Sequence, residues 1–298
     1  MRTATLNIDG LSVGHWTDFE ARTGCTVVLC RDGAVAGVDV RGAAPGTRET
    51  DLMRGYNAVE RINAILLTGG SAFGLDAAAG VMQYLELQGR GVKAGPTVVP
   101  IVPGAVIFDL DVGDGAVRPQ KENGYTACTL AGEAFETGSV GAGTGATVGK
   151  TLGMHNAMRG GIGAASVTLE GGVIVSALVV VNALGDIYDP RTGRIVAGAK
   201  KDGVFVPYYD HAWALPSAYG NTTIGVVATN ARLDREQANK LASMAHDGLA
   251  MTVRPTHTNF DGDTFFALST CEKGEVPMLP LMNAAVRAVS DAVIDAVR

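Results

Sequence analysis

Several stretches of this chain hold residue types that could do chemistry, and spacing sorts them. The glycine-rich run from Gly138 to Thr151 ends in Gly149-Lys150-Thr151, the close of a phosphate-cradling GxxxxGK[ST] loop. That loop needs its first glycine at 144, where Thr144 stands, with Gly143 and Gly145 one residue off on either side. A cradle of inward N–H groups does not survive such a slip, so a nucleotide-binding protein using residues 138–151 is a weak alternative. Asp109, Asp111 and Asp114 suggest a calcium loop, but Gly113 and Asp114 occupy the fifth and sixth places and Gln120 the twelfth. A turn with solvated carboxylates is expected there. Ser71 follows Gly69-Gly70, yet Phe73 stands where a nucleophile elbow requires glycine, so Ser71 reads as a helix cap. The five histidines form no HExxH or paired cluster, and no metal site is expected.

Segments on four separate parts of the chain remain. They are Gly149-Lys150, Val180-Val181-Asn182, Tyr219 to Ile224, and His257 to Thr264 with its Asp261-Gly262-Asp263. Jointly these resemble the self-processing β-aminopeptidases, L-aminopeptidase/D-esterases and nylon-oligomer hydrolases. The nylon-oligomer (6-aminohexanoate oligomer) branch is the most similar, since Asp261 falls 39 residues after Thr222 as that branch places it. The similarity runs from Gly10 to the last helix.

The resemblance implies that the backbone is cut between Asn221 and Thr222, giving chains 1–221 and 222–298, with Thr222 as the N-terminal nucleophile. Elementary chemistry agrees. A hydroxyl directly after a scissile carbonyl attacks it through a five-membered ring at high effective molarity, and Gly220 allows the strain of that shift. The freed α-amine, with a pKa near ~8, then serves as base to its own hydroxyl. By the same resemblance Lys150 is the cationic partner of that amine, Asn182 donates to the developing oxyanion, and Asp261 and Asp263 orient Thr222 and balance Lys150. Each has a plainer account: a solvated lysine, a strand-ending asparagine, a D-G turn, the first residue of a strand. The set of five makes the enzymatic reading.

One position departs from the family. A tyrosine follows its Val-Ile pair, and here Phe108 follows Val106-Ile107. Phenylalanine cannot donate a hydrogen bond, and losing an oxyanion donor costs roughly 10²–10³ in rate. Phe108 is therefore a candidate substrate contact, an ordinary core residue, or the mark of a catalytically weak assembly protein on the same fold. The activity implied is an aminopeptidase or amidase, free of cofactor, acting on small peptides, amides, β-peptides or ω-amino acid oligomers. Homo-oligomers, tetramers in particular, are implied as well.

These side chains need a scaffold. β-type runs at Cys25–Cys30 and Ala34–Val40 are joined by glycine turns, and Ala64–Thr68 is a buried strand leading through Gly69-Gly70 into a helix with Phe73, Ala77, Val81 and Leu85 on its apolar side. Further strands are expected over Val98–Phe108, Ser166–Leu169, Val173–Val181, Thr223–Thr229 and Asp263–Thr270. Residues 186–220 have no sustained period and read as a long ordered loop or short extended pieces. Asp234 with Gln237 opens a helix whose stripe is Ala238, Leu241, Ala242, Ala245 and Leu249. A last helix carries Leu281, Ala284, Ala285, Ala288, Val289 and Ala292. The elements predict one α+β domain over 1–298, and the resemblance sharpens this to a layered αββα packing of the N-terminal-nucleophile type.

Composition fits such a chain. Gly supplies 40 of 298 residues, about twice the usual ~7%, while 47% of residues are hydrophobic and 6% aromatic. A compact globule packed on small side chains follows, and collagen and disorder are excluded. With a net charge of −6 and no run of basic residues, nucleic acid is not an expected partner. The four cysteines show no CxxC, no signal segment opens the chain, and no apolar run nears the ~20 residues of a membrane helix. A cytoplasmic protein with reduced thiols is expected, and the formal sequon at Asn221 has no secretory context.

Overall fold

The computed structural model describes residues 1–210 and 220–298. The main elements run, in chain order, β1 (Leu11–Asp18), β2 (Thr23–Val40), β3 (Arg61–Thr68), α1 (Ala77–Leu87), β4 (Gly104–Val106) and α2 (Lys121–Thr129). Then follow β5 (Gly161–Thr168), β6 (Ile174–Asn182), β7 (Thr222–Thr229), α3 (Arg235–Thr252), β8 (Thr264–Ser269) and α4 (Met278–Ala296).

Strand β2 organises the molecule. It is 18 residues long, and its pairing with β3 slips between Leu29 and Ala34. Before the slip it lies between β1 and β3, and β3 continues in parallel to β4. Beyond it, Val35–Val40 pair with β8, which leads through β7 and β6 to β5. One strand thus joins two sheet layers of a single nine-stranded hydrogen-bonded ladder.

Period-two alternation then sorts the side chains into three cores. Cys25, Val27 and Leu29 face α1 and α2, while Val28 and Cys30 point the other way. Val175, Ala177, Val179, Val227, Phe265 and Ala267 face α3 and α4. Their alternates, Leu178, Val180, Ile224, Val226, Phe266 and Leu268, join Val28, Ile65 and Leu67 between the sheets. The order is helices, sheet, sheet, helices, as expected. Small residues set the spacing, for a Cβ at Gly163 would stand 2.2 Å from the Ala292 carbonyl oxygen of α4.

Local signals held where they were strong. The Asp234–Gln237 capping box opens α3 with both bonds formed, and the α4 stripe is buried as written in its period. Other expectations need correction. The run Val98–Phe108 is not one strand but two pieces, Thr97–Val99 and β4, because Pro100 and Pro103 cannot donate to a ladder. The strand expected at Ser166–Leu169 begins at Gly161, where small residues leave room for α4 but carry no β signal. Helix α2 was not anticipated, since its sequence is polar and interrupted by Gly124. Within 186–220, short strands Asp186–Tyr188 and Ile195–Ala197 form, and residues 211–219, Tyr219 among them, lie outside the described residues.

Candidate active site

The site forms where β6 ends and β7 begins. Antiparallel pairing sets Asn182 opposite Thr222, so the last residue of one strand meets the first of the next. The Thr222 hydroxyl donates to the carbonyl oxygen of Asn221. The Gly262 amide donates to both partners, at 3.0 Å to Asn221 O and 3.2 Å to Thr222 Oγ1. Hydroxyl and carbonyl are therefore already in contact under a shared donor. A cavity of about 340 Å³ opens over them, walled by Pro45, Val106, Phe108 and Phe260, with Ser71 and Asn259 as polar side chains on its rim.

Lys150 is buried rather than solvated, with 2% of its surface exposed. Gly149, at φ +70°, turns the chain inward, and its missing Cβ admits the Gly198-Ala199 backbone. The Lys150 ammonium donates to the Asn182 side-chain oxygen at 2.8 Å and to its carbonyl at 3.2 Å. Burial pulls its pKa down to about 7, against the pull of Asp111 and Asp261. The Asn182 side-chain oxygen also accepts from Thr147 N at 3.0 Å, which fixes its amide group toward Phe108 O at 3.0 Å and Gly220 O at 3.3 Å. That places the Asn182 donors just before the 221–222 peptide.

The two aspartates come from the loop leading into β8, tied to the residue before Thr222 by a parallel bridge between Asn221 and Asp261. Asp263 accepts from Thr223 N at 2.7 Å on one oxygen. Its other oxygen takes Thr256 Oγ1, His257 N and His257 Nδ1 at 2.8–3.0 Å. Asp261 accepts from the Thr258 amide and hydroxyl. Burial, reinforced by the charge of Asp263, raises the Asp261 pKa to about 6. The Asp263 carboxylate thus reaches Thr223, next to Thr222, whereas the Asp261 carboxylate is held by Thr258 and only its backbone meets Asn221; the Thr222 hydroxyl itself is turned onto the Asn221 carbonyl.

All five candidate residues converge. Phe108 lies half-buried on the cavity wall, so it is not an ordinary core residue. The other motifs resolve differently. Residues 140–150 are buried, and a Cβ at Gly141, Gly143 or Gly145 would collide with neighbouring strands and loops, so the glycines serve packing. Asp109 is not solvated but buried, holding Gly70 N at 2.7 Å and Thr23 Oγ1 at 2.8 Å. Ser71 is no cap, since Gly70 takes the N-cap position and Ser71 sits at φ +54° beside the cavity. Gly262 and His257 escaped sequence reasoning. The D-G-D spacing held the signal for Gly262, because a glycine there admits close backbone, whereas nothing local marked His257.

The profile of peptidase family S58 matches residues 4–298. The chain belongs to peptidase family S58. An uncharacterized aminopeptidase of Mycobacterium tuberculosis is 47% identical over 284 residues, covering 89% of this chain and 80% of that one. A 6-aminohexanoate-oligomer endohydrolase of Kocuria sp. is 37% identical, covering 91% and 76%. Among solved structures, the L-aminopeptidase D-Ala-esterase/amidase of Ochrobactrum anthropi superposes with a TM-score of 0.74 at 20% identity, covering 98% and 85%, and is described as a variant of the Ntn hydrolase fold. This S58 chain is accordingly a hydrolase of amide bonds on an Ntn-hydrolase fold. Among the described residues no helix is long and apolar enough to cross a membrane, and no group of His, Cys, Asp and Glu is placed to hold a metal ion.

Proposed function

We propose that this protein is a self-processing N-terminal-threonine amide hydrolase whose 298 residues fold as one domain before being cut into 1–221 and 222–298. The observation that carries the reading is the Thr222 hydroxyl set against the Asn221 carbonyl, with Gly262 N–H on both oxygens, at the floor of a cavity. Attack of Oγ1 on the Asn221 carbonyl carbon forms the new C–O bond. Collapse breaks the C–N bond, and the hydroxyl proton passes to the departing nitrogen. Water then hydrolyses the ester, leaving an Asn221 carboxylate and a free Thr222 amine and hydroxyl.

In turnover the Thr222 amine takes the hydroxyl proton as the oxygen attacks a substrate amide and passes it to the departing amine as the C–N bond breaks, giving a threonyl ester that water then hydrolyses to the acid and free Thr222. Lys150, its pKa pulled to about 7 by burial, donates to Asn182 and in its protonated form keeps the new amine unprotonated. Asn182 donates to the oxyanion once the 220–221 carbonyl segment is freed to leave it. Asp261 and Asp263 fix the strand end and offset the cation. Phe108 forms the apolar wall against which the acyl part of the substrate lies. Small peptides, amides, β-peptides and ω-amino acid oligomers fit a cavity of this size and apolar lining, and aminopeptidase and oligomer hydrolase relatives support that range. We place the enzyme in the cytoplasm, as a homo-oligomer, a tetramer by resemblance, needing no cofactor.

Denaturing mass analysis of freshly expressed protein tests the reading. Two fragments are expected from the wild type and one intact chain from Thr222→Ala. An intact wild-type chain would refute it.

A further inference from the structure

His257 stands outside the machinery described above, yet it is built into it. Its backbone is at φ +57°, a left-handed conformation uncommon for a side chain of this size. That turn brings both its N–H, at 3.0 Å, and its ring Nδ1, at 2.8 Å, onto the same Asp263 oxygen. Because the acceptor is a carboxylate, Nδ1 carries the proton. The opposite Asp263 oxygen is left to Thr223 N, one peptide unit from the nitrogen that scission would free.

The ring is held from behind as well. His246 of α3, buried completely, meets it edge-on with centroids 4.8 Å apart, and His246 Nε2 is anchored on Asp39 O at 3.0 Å. Asp39 in turn pairs with Arg41 at 3.1 Å, at the end of β2. The charged and titratable groups around His257 are therefore Asp263 and Asp261 on its own loop, His246 on α3, and Asp39 and Arg41 behind it. His257 Nε2 is buried with no hydrogen-bond partner among the described residues, so the ring's polar contact is spent on Asp263.

We propose that His257 is a positioning residue: through Nδ1–H it locks the Asp263 carboxylate so that its other oxygen stays on Thr223 N at the amino end of β7 and aligns Thr222 for attack. This rests on the Thr222 reading. Without the ring Asp263 keeps Thr223 N, His257 N and Thr256 Oγ1 but loses the one rigid ring donor that fixes its rotation, and a nucleophile displaced by about 1 Å loses up to ~10²-fold in rate.

The test compares His257→Asn with His257→Ala, each in the full-length chain. Asparagine tolerates the left-handed backbone and can put an amide N–H where Nδ1–H stood, whereas alanine cannot. His257→Ala is expected to slow both scission and turnover roughly 10–100-fold, with KM within about twofold, and His257→Asn to restore both to within a few-fold of wild type. A thermal unfolding scan accompanies each variant, and Thr256→Val, which removes a different donor from the same oxygen, separates loss of one hydrogen bond from loss of the ring. Wild-type rates in His257→Ala would overturn the positioning role. So would a folded His257→Asn as impaired as His257→Ala. A wild-type chain that never cuts would overturn the Thr222 reading and this one with it, whereas a wild type and a His257→Ala chain that cut and turn over alike would overturn only the second.

Discussion

The Gly262 amide lies 3.2 Å from the Thr222 hydroxyl, and a Cβ on Gly262 would come within 2.9 Å of that same oxygen. The Ala44 carbonyl oxygen, 2.8 Å from the same imagined Cβ, blocks retreat on the other side. A donor that also touches the Asn221 oxygen is placed to stabilise charge as the carbonyl is attacked, and glycine is what lets it approach.

Gly262→Ala is therefore expected to leave most of the chain uncut at a time when the wild type is fully cut. Denaturing mass spectra over a time course read the fraction directly. Complete cutting at the wild-type rate would show that this contact is unimportant.

Stability should bend with pH in two windows of opposite sign. Lys150 has its folded pKa pulled from 10.5 to about 7. Between those values the unfolded chain holds more protons, so this group makes stability rise with pH and lose ground as pH falls through 7. Lys150→Met should flatten that limb. Asp261 is raised from 3.8 to about 6, so the folded chain holds more protons there and stability falls as pH climbs from 4 to 6. Asp261→Asn should remove that fall. Urea unfolding at a series of pH values measures both, and unchanged slopes in either variant would contradict the assignment.

Phe108 offers a gain-of-function test. Phe108→Tyr puts a hydroxyl on the wall of the cavity over Thr222. Turnover of a small amide is expected to rise by roughly tenfold or more if that hydroxyl reaches the oxyanion. No change would leave Asn182 as the sufficient donor.

Gly220→Ala should fail for a steric reason. Its backbone is at φ +97° and the added Cβ would meet the Phe108 ring at 2.3 Å. Scission is expected to slow sharply, and the pair Gly220→Ala with Phe108→Ala should recover part of it. Equal rates in single and double variants would sever the link between them.

Phe266→Ala, in the core between the sheets, should cost about 3–5 kcal/mol of stability while leaving the scission pattern intact. Denaturant midpoints and mass spectra separate the two effects.

Much of this architecture could be read from local pattern. The α3 capping box and the α4 stripe needed no tertiary knowledge, because their signals are written at helical spacing. Gly161 and Gly163 hid the start of β5, since the demand for small residues came from α4 more than a hundred positions away. The five candidate residues were legible only as a set, through resemblance, for each alone is a common turn or strand residue. His257 was legible only as the start of a segment, with no role of its own: the role proposed for it depends on a left-handed turn and on a histidine of α3, and neither leaves a mark at its own position.

Strand β7 begins at Thr222 and lies between β6 and β8, while β8 pairs on its far side with β2. A break just ahead of Thr222 would therefore sever the polymer without loosening the object. The tail piece would supply two inner staves, flanked on either side by staves of the other piece, and neither could be drawn out without dismantling the wall. Under native conditions the two pieces should travel together at any dilution, with their new ends held in register.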